Sequence, residues 1–202
     1  MSHLPSQKNI GFTLIEMLVA LSLFTIVVTI AVGAFLSLIG ASKSVQGEQS
    51  VITTLTFVLD SMTREIRTGT NYYCNSSSVL DDPTQVSTST VRDCAGGSDG
   101  LSFMEAGSSV TAGASSRRIA YYYDTGSATN TIMRKVGNGT PQSIVSEGIT
   151  VTNAEFFVTG STRLGTGTDI NQPTVTIVLE ARDESGATTT LQTTVTQREL
   201  DI

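Results

Sequence analysis

A run of 29 residues from Phe12 to Gly40 contains a single charge, Glu16, and the nearest other charges are Lys8 before it and Lys43 after it. As an α-helix rising about 1.5 Å per residue, such a run spans roughly 43 Å, more than the ~30 Å hydrocarbon layer of a bilayer. It predicts one membrane span that continues beyond the bilayer. A carboxylate one turn into a membrane helix costs about 2.5–3.5 kcal/mol on insertion scales, so Glu16 is a functional residue by default and needs a partner.

Three readings account for the run. A secretory signal has an apolar stretch of about 7–15 residues followed by a small-residue cleavage site; this run is about twice that length, which argues against removal after it. A plain anchor explains the length but neither Glu16 nor the Gly11-Phe12 junction. The third reading ends a leader before the run and keeps the run in the mature protein.

Gly11-Phe12-Thr13-Leu14-Ile15-Glu16, with the apolar run directly behind it, resembles the processing signature of type IV prepilins and type II secretion pseudopilins. The resemblance implies that a prepilin peptidase cuts between Gly11 and Phe12 and that Phe12 becomes an N-methylated N-terminus. It also implies that Glu16 pairs with the Phe12 amine of a neighbouring subunit. A carboxylate buried among packed helices is tolerable only when paired and hydrogen-bonded, so this contact would reward one axial register. The alternative is a Glu16 that reaches the headgroups or holds a proton, with no part in assembly. The leader departs from expectation in carrying only Lys8, which Lys43 nearly balances, so the positive-inside asymmetry is weak. The resulting division is a leader at 1–11, a transmembrane or filament-core half-helix at 12–40, an amphipathic half at 41–69 and an extracytoplasmic β-rich domain at 70–202.

Past the membrane run, Val45, Ile52, Leu55, Leu59, Met62 and Ile66 recur at helical spacing, widened by Val51 and Val58. One helix is expected from near Phe12 to about Thr68, with Gly33, Gly40 and Gly47 as soft points and Gly69 as a left-handed cap. Asp60 and Arg64 stand four apart and support it locally. Glu48 interrupts the stripe, which favours docking on the chain's own domain over a coiled-coil seam.

Residues 75–116 read as loops with one strand, containing the apolar islands Leu101, Phe103 and Met104. The period then becomes two. Ile119, Tyr121 and Tyr123 share one strand face, and Ile132, Arg134 and Val136 a face of the next, across a connection at 124–130. Further strands are expected at 149–158, 174–182 and 188–197, with Asp183-Glu184-Ser185-Gly186 as a hairpin turn. The fold class is α+β: a long N-terminal helix packed on an antiparallel β-sheet, which is also the pilin-like shape the resemblance implies.

Composition narrows the chemistry. The net charge of −6 argues against a broad nucleic-acid footprint, and the basic pairs Arg117-Arg118 and Arg134-Lys135 are expected on solvated strand faces. The one histidine, His3, falls in the leader, so the processed chain has none. That removes Ser-His-Asp, Cys-His and most zinc arrangements. No catalytic residue, metal or cofactor is assigned. Cys74 and Cys94, 20 positions apart, lack metal-ligand spacing; beyond a membrane they would form a disulfide, the alternative being two unrelated thiols. Asp81-Asp82, Asp183-Glu184 and Asp169 could supply oxygens to calcium, which some relatives bind, but turn acidity is the commoner cause.

Leu59–Arg67 and Ile119-Ala120-Tyr121-Tyr122, followed by Met133-Arg134, resemble minor members of the J pseudopilin or W pilin type. The resemblance implies a minor subunit that initiates or caps a type IV-like filament: a type IV pilus, a competence pilus or a type II secretion pseudopilus. Its partners would be the prepilin peptidase, other minor and major pilins or pseudopilins, the inner-membrane assembly platform and, before assembly, membrane lipid. Its place would be the inner membrane, crossed once with the C-terminal domain outside, and then a surface or periplasmic filament. A rival reading is a filament-tip adhesin or DNA-capture subunit acting through the loops at 75–116 or an exposed platform of Tyr121, Tyr122 and Tyr123, although in an alternating strand at least one or two of the three are expected in the core. A membrane-tethered enzyme is the third, disfavoured by the missing histidine.

Overall fold

The computed structural model describes residues 11–82, 86–87, 89–107, 117–126, 130–161 and 172–198. Leader residues 1–10, with His3 and Lys8, lie outside the described residues, as does Asp169. The chain divides into two compact units, Met1–Lys43 and Ser44–Ile202.

Helix α1 runs from Leu14 to Thr68 without a break at any of its glycines. Its first part, in the first unit, is exposed throughout. In the second unit one face is buried: Val51, Leu55, Val58, Leu59, Met62 and Ile66. Burying such side chains stabilises by about 1.5–3 kcal/mol each relative to exposure. The expected stripe is therefore corrected at its start. Val45 and Ile52 are 53% and 39% exposed, because the buried face leads with Val51, and Ile52 is turned about 100° away from it. Docking on the chain's own domain is what the stripe does.

The end of α1 also differs from expectation. Gly69 closes onto Ile66 O through its N–H at 3.0 Å, yet the left-handed residue here is Asn71, at φ 54°. Gly69 is required for space: a Cβ there would lie 2.4 Å from Cδ2 of Phe103. The terminal carbonyls, which a helix leaves without internal donors, are served from elsewhere. The Tyr72 hydroxyl donates to Ile66 O at 2.6 Å and to Gly69 O at 2.9 Å, and Gln197 Nε2 donates to Gly69 O at 3.0 Å.

The β region is two antiparallel sheets, where one was expected. Strands β1 (Thr70–Cys74), β3 (Gly100–Met104), β4 (Arg118–Asp124), β5 (Thr131–Val136) and β6 (Gln142–Ser143) form the first, in the order β1-β3-β4-β5-β6. Strands β2 (Cys94–Ser98), β7 (Ile149–Thr159), β8 (Thr174–Asp183) and β9 (Thr188–Thr196) form the second, in the order β2-β7-β8-β9. The described parts of 75–116 hold two strands and a short helix, α2 (Ser77–Leu80), rather than one strand. β2 escaped notice because its Ala-Gly-Gly-Ser sequence carries no apolar alternation.

The hairpin between β8 and β9 is as expected. Its register is unbroken from Thr174 opposite Thr196 to Arg182 opposite Thr188. At the turn Gly186 has φ 88°, and the Asp183 carboxylate accepts from Ser185 Oγ and from Ala187 N at 2.8 Å.

A single core joins the buried face of α1 to both sheets: Tyr72, Phe103, Ile119 and Tyr121 from the first, Val151, Phe156, Ile177 and Leu179 from the second. Alternation along β4 sends Ala120 and Tyr122 to the opposite side, where they meet Leu80 and Val86 in a smaller cluster.

Candidate assembly segment

Thr13 starts α1. Its Oγ1 accepts the Glu16 N–H at 3.3 Å and its carbonyl accepts the Met17 N–H at 3.2 Å, so Thr13 is the N-cap and Glu16 stands at the third helical position, the Thr-x-x-Glu spacing of a capping box. The Glu16 carboxylate thus sits in the first turn, where the partial positive charge of the helix end favours an anion. Around it Phe12, Leu14, Ile15 and Met17 are 64–80% exposed. Among the described residues no cation of the chain pairs with Glu16.

The hydroxyls that follow satisfy themselves within the helix. Ser22 donates to Val19 O at 2.9 Å, Thr25 to Ser22 O at 2.8 Å and Thr29 to Thr25 O at 2.7 Å. In hydrocarbon an unmade hydrogen bond is costly, so these three polar residues are compatible with an apolar surround. α1 is the one helix among the described residues long and apolar enough to cross a membrane, and that stretch is unburied by the chain itself.

In the β domain, Cys74 and Cys94 form a disulfide with Cα atoms 5.8 Å apart. Cys74 belongs to β1 and Cys94 to β2, so the bond ties one sheet to the other.

Two basic residues expected on solvated faces are corrected. Arg118 is fully buried. Its guanidinium donates to Ser102 Oγ at 3.0 Å, to Asn71 O at 3.4 Å, to Ser87 O at 3.0 Å and to Thr90 O at 3.4 Å, while Nε has no partner among the described residues. Burial pulls its pKa down to about 10, with Tyr73 acting weakly the other way. Arg134 is half-buried against the helix: its Nε and Nη2 donate to the Glu65 carboxylate at 3.1 and 2.9 Å. Burial lowers its pKa, but the bonds to Glu65 outweigh this and leave it raised. Arg117 is exposed and Lys135 pairs with Asp81 at 4.0 Å.

The tyrosines belong to the core, as the alternation of the strand favours, and form no exposed platform. Tyr121 and Tyr122 are buried on opposite sides of β4, and Tyr123 is half-buried with its hydroxyl on Val151 O at 3.1 Å. The Tyr121 hydroxyl donates to Glu65 at 2.7 Å and that of Tyr122 to Asp81 at 2.8 Å. Burial first, and then these acceptors, push both phenols above their ordinary range. Among the described residues no three His, Cys, Asp or Glu side chains gather into a metal site. Asp183 and its turn are engaged in the hairpin, and its pKa is lowered chiefly by the Ser185 hydroxyl.

Sequence reading missed Arg118, the Glu65–Tyr121–Arg134 group and Asp93, whose carboxylate accepts the N–H groups of Gly160 and Ser161 at 3.1 and 2.9 Å. These contacts join residues 16 to 69 positions apart, and no local pattern announces them.

Residues 6–39 match the model of the prokaryotic N-terminal methylation motif. No curated protein and no solved structure matches the chain. The motif opens an exposed apolar helix whose continuation is buried against antiparallel sheets, and in both motif and architecture the chain is type IV pilin-like.

Proposed function

We propose that the chain is a minor subunit of a type IV-like filament, released from its leader by a prepilin peptidase at Gly11-Phe12 and packed through the first part of α1. The observation that carries this is the methylation motif set on an apolar helix that the chain leaves uncovered. Lipid covers that surface before assembly and the helices of other subunits cover it afterwards. The same motif supports single-pass insertion in the inner membrane with the β domain outside.

Glu16 is the register device in this reading. Cleavage creates a cationic amine on Phe12, and a neighbour's Glu16 is its counter-charge. Buried opposite charges reward one axial offset and penalise others, where each is left unpaired. The initiating or capping role, and the likeness to the J pseudopilin or W pilin type, rest on the stretches 59–67, 119–122 and 133–134 and belong to this proposal. Nothing in the tyrosine strand supports the rival adhesin or DNA-capture reading, since Tyr121 and Tyr122 are inside.

Intact-mass analysis of the full chain from membranes containing a prepilin peptidase tests the processing step. The expected mass lacks residues 1–11 and gains one methyl group; any other N-terminus overturns the assignment. Glu16→Ala then tests the pairing: incorporation into filaments is lost while the β domain stays folded, and undiminished incorporation refutes the role of Glu16.

A further inference from the structure

Gly47 is half-buried, while residues 44–46 and 48–50 on either side of it are exposed. It stands one turn before Val51, the first buried residue of α1, and the turn of the β8–β9 hairpin covers it. A Cβ at Gly47 would lie 1.9 Å from Asp183 Oδ2, 2.8 Å from Asp183 Cγ and 2.9 Å from Ser185 Oγ. No side chain fits in that space. The glycine lets the carboxylate rest against the backbone of the helix.

The hairpin side of this contact is stiff. Ser185 Oγ donates to the two oxygens of Asp183 at 2.8 and 2.7 Å, Ala187 N donates to Oδ1 at 2.8 Å, and Gly186 N closes the turn on Asp183 O at 3.2 Å. Behind the turn β8 and β9 pair without a break, and Val175, Ile177, Leu179 and Ala181 anchor β8 in the core. Asp183 cannot swing aside without giving up its bonds in the turn. The helix side is soft, because glycine in a helix interior keeps the most backbone freedom and the lowest propensity of the non-proline residues.

We propose that Gly47 is a hinge of α1 and that the hairpin tip is its stop. A bend toward the tip drives the helix backbone onto Asp183 and Ser185, whereas on the other side residues 44–46 and 48–50 are exposed and meet no such barrier among the described residues. From Val51 onward the buried face holds the helix to the sheets, so the hinge stands where the domain's grip on α1 ends. The soft point expected from the sequence is thereby soft in one direction. The device belongs to the domain and its helix alone and needs neither leader cleavage nor Glu16.

The full chain in detergent provides two tests. Asp183→Ala with Ser185→Ala removes the three atoms nearest the seat, and Gly47→Ala is made in both backgrounds as a double-mutant cycle. With the native tip, Gly47→Ala is expected to lower the denaturant midpoint of the β domain. Without the tip side chains the same substitution is expected to raise it, through better helix propensity and reduced freedom of the unfolded chain. The same sign in both backgrounds overturns the seat. The second test places spin labels on Ser44→Cys and Thr188→Cys, both exposed positions in a chain whose native cysteines are joined in one disulfide. Removing the tip side chains is expected to add shorter distances to the label–label distribution, and adding Gly47→Ala to remove them again. A tip-less chain that gains no shorter distances, with the sheets intact by circular dichroism, overturns the stop.

Discussion

Arg134 grips Glu65 through two nitrogens, at 2.9 and 3.1 Å, and thereby fastens β5 to the last turns of α1. The same carboxylate receives the Tyr121 hydroxyl from β4. Glu65→Ala leaves a half-buried guanidinium and a buried phenol without their acceptor, a loss of about 1–3 kcal/mol. For a chain of this size, at about 2–4 °C per kcal/mol, that lowers the thermal midpoint by about 2–12 °C. Glu65→Gln keeps an acceptor for the phenol and falls between, as thermal melts followed by circular dichroism will show.

Stability should fall at alkaline pH. Tyr121 and Tyr122 hold their protons more tightly folded than unfolded, through burial and their carboxylate acceptors. Their contribution is complete below the unfolded value near 10 and is lost as pH rises toward the folded values, because the unfolded chain ionises first. Each tyrosine gives a slope of about 1.4 kcal/mol per pH unit in that window. Arg118, lowered to about 10, acts oppositely; two groups against one leave a net loss. Urea melts at a series of pH values should show the decline, and Tyr121→Phe with Tyr122→Phe should flatten it.

Arg118 is a clamp rather than a pillar. Among the described residues no carboxylate meets it, and it holds the Ser87 and Thr90 carbonyls in the segment that the disulfide closes. Replacing an isolated buried charge by an apolar side chain relieves its desolvation and offsets the lost bonds. Arg118→Met should therefore change global stability by less than about 1 kcal/mol while loosening that segment locally. Losing a hydrogen bond to a charged group, about 1.5–3 kcal/mol, predicts about ten- to hundredfold faster amide exchange at Arg92, whose N–H bonds Tyr72 O at 3.0 Å.

Two glycines of similar appearance in the sequence should respond differently to alanine. At Gly69 the added Cβ meets the Phe103 ring, while at Gly96 it meets nothing within 4 Å. Overpacking at the first costs about 1–3 kcal/mol. The second should be neutral or stabilising by up to about 1 kcal/mol, through reduced freedom of the unfolded chain. Denaturant midpoints of the two variants decide this.

What the sequence disclosed follows from the range of each interaction. The apolar run, the helical stripe and the β8–β9 hairpin are written in neighbouring residues, and their periods survive in the fold. The helix face was displaced at one end because Val51 and Ile52 are both apolar and only the packed domain chooses between them. The division into two sheets depends on which strands pair, and β2 pairs with β7 across some 60 positions. Arg118 and Arg134 looked like surface charges because their partners come from other elements. In the assembly segment the motif itself was legible; the Thr13 cap, with its side-chain bond to the Glu16 N–H, was not.

The Cys74–Cys94 bond joins strands of different sheets, so it is a clasp between two halves of the domain rather than a loop ornament. Its closure depends on surroundings that oxidise thiols. The domain therefore has two states of completion: shaped by its core wherever it folds, and fastened only after it reaches an oxidising compartment. A chain kept among reducing thiols would hold its two sheets together by their shared core alone, without the covalent link.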